Sequence, residues 1–377
     1  MPMRVAIVAE SFLPNMNGVV NSVLRVLDHL KANGHDAMIV APDTVKGEAP
    51  APTEYDGFHV HRVPAIMVPK INSLPIGLPG KDVTSVIRDF DPDVVHLASP
   101  YLLGAGGLGA ALRLDVPAVA IFQTDVAGFA ASYGLGFSTR AAWWWTRKIH
   151  ERAARTLAPS SAAAADLEKH GIPRIHRWGR GIDIERFNPG RRTEKPWSGD
   201  KLVVGFIGRL AAEKHVERLA VLEGDPNIQL VIVGGGPELP KLQKLMPSAV
   251  FTGELGGTEL AEAYASLDVF VHTGEHETFC QAVQEALASG VPVIGPNAGG
   301  PIDLISHCRN GYLLPVNRFS ELLPSAVGAL TDPELRTKFG DAARRSVQHR
   351  TWPAICNELM GHYADVIGSE GALTQIA

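Results

Sequence analysis

The 377-residue chain reads as an α/β protein made of two doubly wound parallel-sheet domains that face each other across a cleft. Three observations predict this. Unbroken apolar runs such as Arg4-Val5-Ala6-Ile7-Val8-Ala9 alternate with helical stretches, the β–α–β order of a parallel sheet buried on both faces. A second series of the same kind starts at Leu202, after a polar segment from Arg191 to Asp200 that holds Pro196 and Gly199. The length favours two domains, and a hydrophobic content of 45% supplies two cores.

In the first half, Arg4–Ala9 is a strand, and Pro14-Asn15-Met16-Asn17-Gly18-Val19-Val20 leads into a helix that runs to about Lys31. A strand, a small-residue turn and a helix start let a phosphate approach backbone N–H groups. The turn lacks GxGxxG, so it is no dinucleotide fingerprint, and a plain βα turn has the same pattern. The helix closes at Asn33-Gly34-His35. Strands follow at Ala37–Ala41, Val94–Leu97 and Val119–Phe122. Residues 65–79 are apolar but broken by prolines, a loop either buried under a neighbour or used to meet lipid. Asp125 lies just past the fourth strand, at the sheet edge where ligands sit in such folds. It is a candidate functional carboxylate or a helix cap. Ser138 to Arg155 reads as one helix. Arg140, Trp144, Arg147, Lys148, Glu151, Arg152 and Arg155 share one face, and Ala142, Trp145, Ile149 and Ala153 form the core stripe. Trp143, Trp144 and Trp145 therefore cannot all be core. An exposed Trp beside cations suits a membrane interface, or it packs on the adjacent domain.

In the second half, the strand Leu202–Gly208 is followed by Arg209 and Lys214, five residues apart. An Arg fork binds two oxygens and a Lys adds a point charge, which suits a diphosphate; two surface cations are the plain alternative. Leu230–Val233 enters Gly234-Gly235-Gly236-Pro237, a turn whose backbone can approach a ligand. The stretch that organises the chain is His276-Glu277-Thr278-Phe279-Cys280-Gln281-Ala282-Val283-Gln284-Glu285. Cys280 to Ser289 reads as a helix closed by Gly290. Its start offers the N–H groups of Phe279, Cys280 and Gln281 to an anion. Glu277 stands at the mouth, and Glu285 lies roughly 7–8 Å further in at about 1.5 Å per residue. Such spacing fits an elongated ligand with hydroxyls at both ends and a phosphate between; solvated glutamates on an ordinary amphipathic helix share it.

Glu277-x7-Glu285 with Ala-x-Ala-Ser-Gly-x-Pro-Val after it resembles the signature of the family 4 retaining glycosyltransferases, which have the GT-B architecture. Cys280 stands where the motif usually has Gly, and Gln123 where many members have His. Thr156–Ser161, Gly179-Arg180-Gly181-Ile182-Asp183, Phe187-Asn188-Pro189 and the Arg209/Lys214 pair match the family in order and spacing. The segment around Gln123 is most similar to actinobacterial GDP-mannose-dependent α-mannosyltransferases acting on membrane glycolipids. The resemblance implies an acceptor domain over residues 1–190 and a donor domain over 198–353, with a last helix over about 354–367 packing back on the first. It implies that Arg209, Lys214 and the Asn17-Gly18 turn hold a donor diphosphate, and that Phe251–Leu255 lies by the base. Glu277, with the N–H groups of Phe279, Cys280 and Gln281, would hold the sugar, and Glu285 the ribose. Asp125 and Glu277 are the expected catalytic carboxylates. No cofactor and no metal are expected: two cations and a helix terminus already offset the diphosphate charge, and no His/Cys ligand cluster is visible. The expected partners are GDP-mannose and a lipid-linked sugar, with weak peripheral contact at the inner face of the plasma membrane. A UDP-sugar with a soluble acceptor, a sugar-nucleotide epimerase of this architecture and a non-catalytic binding relative remain as alternatives.

Bulk properties agree. Three cysteines without CxxC suggest a reducing, cytoplasmic compartment. The N-terminus meets Glu10 too soon for a signal peptide, and no apolar run approaches the ~20 residues of a membrane span. Residues 1–190 hold 19 Lys/Arg and 18 Asp/Glu, a charge of +1; the rest holds 16 against 22, a charge of −6. A weakly acidic chain without a basic cluster of nucleic-acid type argues against DNA or RNA as a partner.

Overall fold

The computed structural model describes residues 2–45, 50–67, 75–80, 82–123, 139–195, 197 and 199–374. In the first half the strands are β1 (Arg4–Ala9), β2 (Asp36–Pro42), β3 (Glu54–Tyr55), β4 (Phe58–Val63), β5 (Ala65–Met67), β6 (Pro75–Gly77), β7 (Val94–Ala98), β8 (Ala118–Ile121), β9 (Arg155–Ala158) and β10 (Ile175–Arg177). Apart from the small β5–β6 pair they form one sheet of order β10-β9-β8-β7-β1-β2-β4-β3, parallel except at β3. The helices α1 (Gly18–Ala32), α2 (Asp82–Phe90), α3 (Leu103–Leu114), α4 (Thr139–His150) and α5 (Ser161–Lys169) connect them. β1 explains the arrangement: Val5 to Ala9 are fully buried. Alternate residues enter two different cores, Val5, Ile7 and Ala9 on one face and Ala6 and Val8 on the other.

The second half repeats the plan with β11 (Leu202–Ile207), β12 (Ile228–Val233), β13 (Val250–Gly253), β14 (Val269–Val271), β15 (Val293–Pro296) and β16 (Gly311–Leu314). These are ordered β13-β12-β11-β14-β15-β16 and all parallel. Its helices are α6 (Leu239–Leu245), α7 (Gly257–Ala265), α8 (Gln281–Ala288), α9 (Pro301–Leu304), α10 (Phe319–Ala329) and α11 (Pro333–Val347). The last helix, α12 (Trp352–Thr374), packs in the core of the first sheet through Trp352, Ile355, Leu359, Tyr363 and Val366, and it runs past the expected end at Ile367. Buried His96 on β7 bonds the Tyr363 hydroxyl, which ties α12 to that sheet.

Two expectations need correction. The helix read as Ser138–Arg155 stops at His150, and Arg155 opens β9. The carbonyls that the helix would have used are taken by the Arg174 side chain, which donates to Glu151 O at 2.6 Å and Ala153 O at 2.9 Å. Ala154 N–H meanwhile joins Ala118 O at 2.8 Å. Second, the sequence reading has no strand at Phe58–Val63, yet β4 pairs in parallel with β2. Its burial alternates at the start because it lies toward the sheet edge, so it lacks the continuous apolar run used to find the others. The turn Gly234-Gly235-Gly236 also packs on protein: Leu210 N–H donates to Gly235 O at 2.8 Å, and just before the turn Gly208 N–H donates to Val233 O at 3.0 Å. That turn braces the loop carrying Arg209.

Candidate active site

The chain that follows β8 in the first sheet meets the loop that follows β14 in the second. At the end of β14 the chain turns through His272 to Phe279 and enters α8. Thr273 Oγ1 donates to Lys214 O at 2.6 Å, and Arg218 braces the loop through Thr273 O and Glu275, both at 2.8 Å. The Gly299-Gly300 pair packs from the other side. A Cβ on Gly300 would lie 2.1 Å from Phe279 O, and Gly300 N–H donates to Glu277 O at 2.7 Å. Thr278 Oγ1 reaches across to Gln123 O at 2.9 Å, linking the two halves at the site.

The loop brings Glu277 onto Lys214, which donates to its carboxylate. Burial works against both charges, yet each sustains the other. Glu277 is held below its ordinary range by Lys214, His272 and Arg180, and Lys214 is held above its own. Arg209 extends from the loop after β11, about half exposed, and pairs with Glu213. Glu285 lies one helix turn inside α8. Burial pushes its carboxyl up to about 7, although the Tyr264 hydroxyl bonds it and Arg186 lies near. Cys280 precedes α8 with φ +77° and ψ +74°, a left-handed conformation natural to Gly. Burial and the Glu277 charge push its thiol well up, so it is a neutral group packed in the core.

Asn17 and Gly18 do sit at the start of α1, but the Asn17 carboxamide is engaged. It accepts from Val19 N–H at 2.9 Å and Val20 N–H at 3.0 Å, and donates to Ser11 at 3.0 Å. The carboxamide oxygen is therefore used by the cap, while one Nδ2 N–H and the turn's backbone remain for a ligand. Asp125 lies outside the described residues.

The sequence reading passed over Arg180, taking it only as part of a family segment. It is 91% buried, donates to Gly18 O at 2.8 Å and to Gln123 Oε1 at 3.0 Å, and its charge is felt by Glu277. Its backbone carbonyl accepts from Gln284 of α8 at 3.0 Å. A Gly-Arg-Gly triplet between a strand and a family motif was the available signal.

The expectation of no ligand cluster also needs amendment. His272, Glu277 and Cys280 each place a possible ligand atom within 4.8 Å of the others. They meet because β14 ends and α8 begins at one point. Lys214 and Arg180 beside Glu277 oppose a cation there by like-charge repulsion.

Residues 16–186 match the family described as Glycosyltransferase Family 4, and residues 190–346 match Glycosyl transferases group 1. A GDP-mannose-dependent alpha-mannosyltransferase of Mycolicibacterium smegmatis is 62% identical, covering 97% of this chain and 98% of its own. The chain belongs to glycosyltransferase family 4. A second relative of the same description, from Mycobacterium tuberculosis, is 58% identical over 97% of each chain. The family's fold is recovered in solved structures too. Sucrose-phosphate synthase of Thermosynechococcus elongatus superposes with a TM-score of 0.81 at 19% identity, covering 97% of this chain and 100% of that one. Anabaena HepE in complex with UDP gives 0.75 at 16% identity, covering 96% and 100%. The two parallel-sheet units are those of the GT-B architecture.

Proposed function

We propose that this enzyme is a retaining α-mannosyltransferase that moves mannose from GDP-mannose to a hydroxyl of a membrane glycolipid or phospholipid sugar. In this reading residues 1–190 bind the acceptor and residues 198–353 the donor. The observation that carries it is the convergence of Arg209, Lys214, Glu277, the start of α8 and Glu285 at one side of the cleft, in a chain 62% identical to a GDP-mannose-dependent enzyme.

Arg209, Lys214 and the backbone at Gly18 grip the diphosphate. Glu277 and the N–H groups of Phe279 to Gln281 hold the sugar hydroxyls, and Glu285 accepts from the ribose. Transfer runs on one face of the sugar. The acceptor oxygen bonds the anomeric carbon as its bond to the diphosphate oxygen breaks, and the acceptor proton passes to that departing oxygen. Asp125 is the candidate carboxylate on the acceptor side. The fixed cations stabilise charge growing on the leaving group, so no metal is needed.

The lipid half of the reading is supported by exposed apolar groups on the first half: Trp144 at 58%, Ile66 at 49% and Leu78 at 41%. Arg140, Arg147 and Lys148 are exposed on the same helix as Trp144. No helix among the described residues is long and apolar enough to cross a membrane.

The test is incubation of the protein with GDP-mannose or UDP-glucose, with and without vesicles of glycolipid. Mannosylated lipid from GDP-mannose alone supports the proposal. A soluble product from UDP-glucose, isomerised donor, or binding without turnover would replace it with another reading.

A further inference from the structure

We infer that Arg180 is a third phosphate-binding cation, reaching from the first half of the chain to the sugar-side phosphate of the donor. This rests on the donor-site reading above. Arg209 is paired with Glu213 and Lys214 with Glu277, so these two cations arrive already offset by two carboxylates. A donor diphosphate is anionic, and the two pairs together carry no net charge to meet it. Arg180 is different. No carboxylate among the described residues forms an ion pair with it, and its two hydrogen bonds go to neutral oxygens, Gly18 O and Gln123 Oε1. Its Nε, buried, makes no hydrogen bond at all, and neither does the neighbouring Gln123 Nε2. An unpaired buried cation is costly unless something anionic completes it.

Its position fits that role. The residue is held between the halves: Gln284 and Gln281 of α8 donate to the carbonyls of Arg180 at 3.0 Å and Gly181 at 3.2 Å. The guanidinium crosses to the start of α1, where a Cβ on Gly18 would fall 2.9 Å from its Nη1. The absence of a side chain at Gly18 thus makes room for Arg180 as well as for a ligand. Burial draws the guanidinium down to about 10, which leaves it charged at neutral pH. The planar fork presents several N–H groups, and those not used by Gly18 and Gln123 remain for phosphate oxygens.

The test compares GDP with GMP by calorimetry on the full chain, without acceptor. GMP lacks the sugar-side phosphate. Arg180→Gln should weaken GDP by about tenfold or more, the range of a charge-assisted bond, and GMP by less than about twofold. Arg180→Lys keeps the charge but not the fork and should fall between. Equal losses for GDP and GMP would show that Arg180 merely shapes the cleft, and no loss for GDP would remove it from the donor site; both overturn the inference. If Arg180→Gln does not fold, an unchanged GDP-to-GMP ratio in Arg180→Lys overturns it as well. Arg209→Ala is the control. If it too leaves GDP binding unchanged, the donor-site reading itself has failed; if only the Arg180 variants do, that reading stands and this inference falls.

Discussion

At the scale of single residues, the two glutamates of the signature have opposite electrostatic settings. Glu277 is held ionised by Lys214, His272 and Arg180, whereas burial lets Glu285 keep its proton to about 7. The sign of the pH dependence follows. In the unfolded chain Glu285 loses its proton near 4.5, so its contribution to stability is complete below that pH and is lost as pH rises through about 7. In the proposed donor site ribose binding runs the other way, because the hydroxyls donate to the ionised carboxylate. GDP-mannose affinity should therefore rise about tenfold from pH 6 to pH 8 if only the ionised form binds. Titration calorimetry of Glu285→Gln, with weaker binding and no such slope, is the check. Glu277→Gln should lower turnover by about a hundredfold, as loss of a group that acts on the transition state does. Binding of GDP should stay level or tighten, because Lys214 is released from its partner. A uniform loss of GDP affinity in Glu277→Gln would reverse the two assignments.

At the scale of elements, helix starts carry most of the site. Asn17 caps α1, and Asn17→Ala should cost about 1 kcal/mol in chemical denaturation, the usual worth of such a cap. The start of α8 depends on the left-handed turn at Cys280. A non-glycine residue there is strained by roughly 1–3 kcal/mol. Cys280→Gly should therefore be nearly neutral, since relief of strain offsets lost packing. Cys280→Val should destabilise by about 2 kcal/mol or more, because a β-branched side chain resists positive φ. Equal midpoints for the two variants would contradict the argument. The three tryptophans of α4 also separate at this scale. Trp143 stacks on His170 with ring centroids 3.7 Å apart, and Trp145 donates to Tyr101 O at 3.0 Å. Of the three, Trp144 alone is exposed, which narrows the expected membrane contact from a Trp143/Trp144 edge to one side chain and its cations.

At the scale of the whole molecule, the two halves are joined around the site as well as through α12. Asp303 on α9 accepts from Ser161 N–H of the first half at 2.7 Å and pairs with Arg177. Burial opposes its charge, but Ser161 and Arg177 hold its pKa low. This contribution is present above the ordinary carboxylate range and is lost as pH falls through it. Asp303→Ala should widen the ligand-free particle in solution scattering and raise the KM for the donor severalfold, without changing Glu277 or Arg209. Membrane contact belongs to this scale too. Weak, salt-sensitive flotation with anionic vesicles is expected, with loss in Trp144→Ala/Arg147→Glu while GDP binding persists. A parent protein that never floats and glycosylates a soluble acceptor would refute the lipid assignment.

The sequence by itself determined the class of fold, the family and the outline of the proposed donor site. Buried parallel strands write themselves as continuous apolar runs, and the Glu277/Glu285 and Arg209/Lys214 spacings are local enough to read directly. The strand Phe58–Val63, next to the sheet edge and partly exposed, leaves no such run, and the end of α4 was set by Arg174 from a distant segment. Contacts between residues far apart in the chain were decided only by the tertiary structure: Lys214 against Glu277, His272 against Cys280, and Arg180 against Gly18 and Gln123. A side chain's charge state and partners depend on what folding packs around it, and no periodicity records that. Arg180 shows the consequence, a residue between two glycines that becomes a buried cation with no ion pair among the described residues once the two halves close around it.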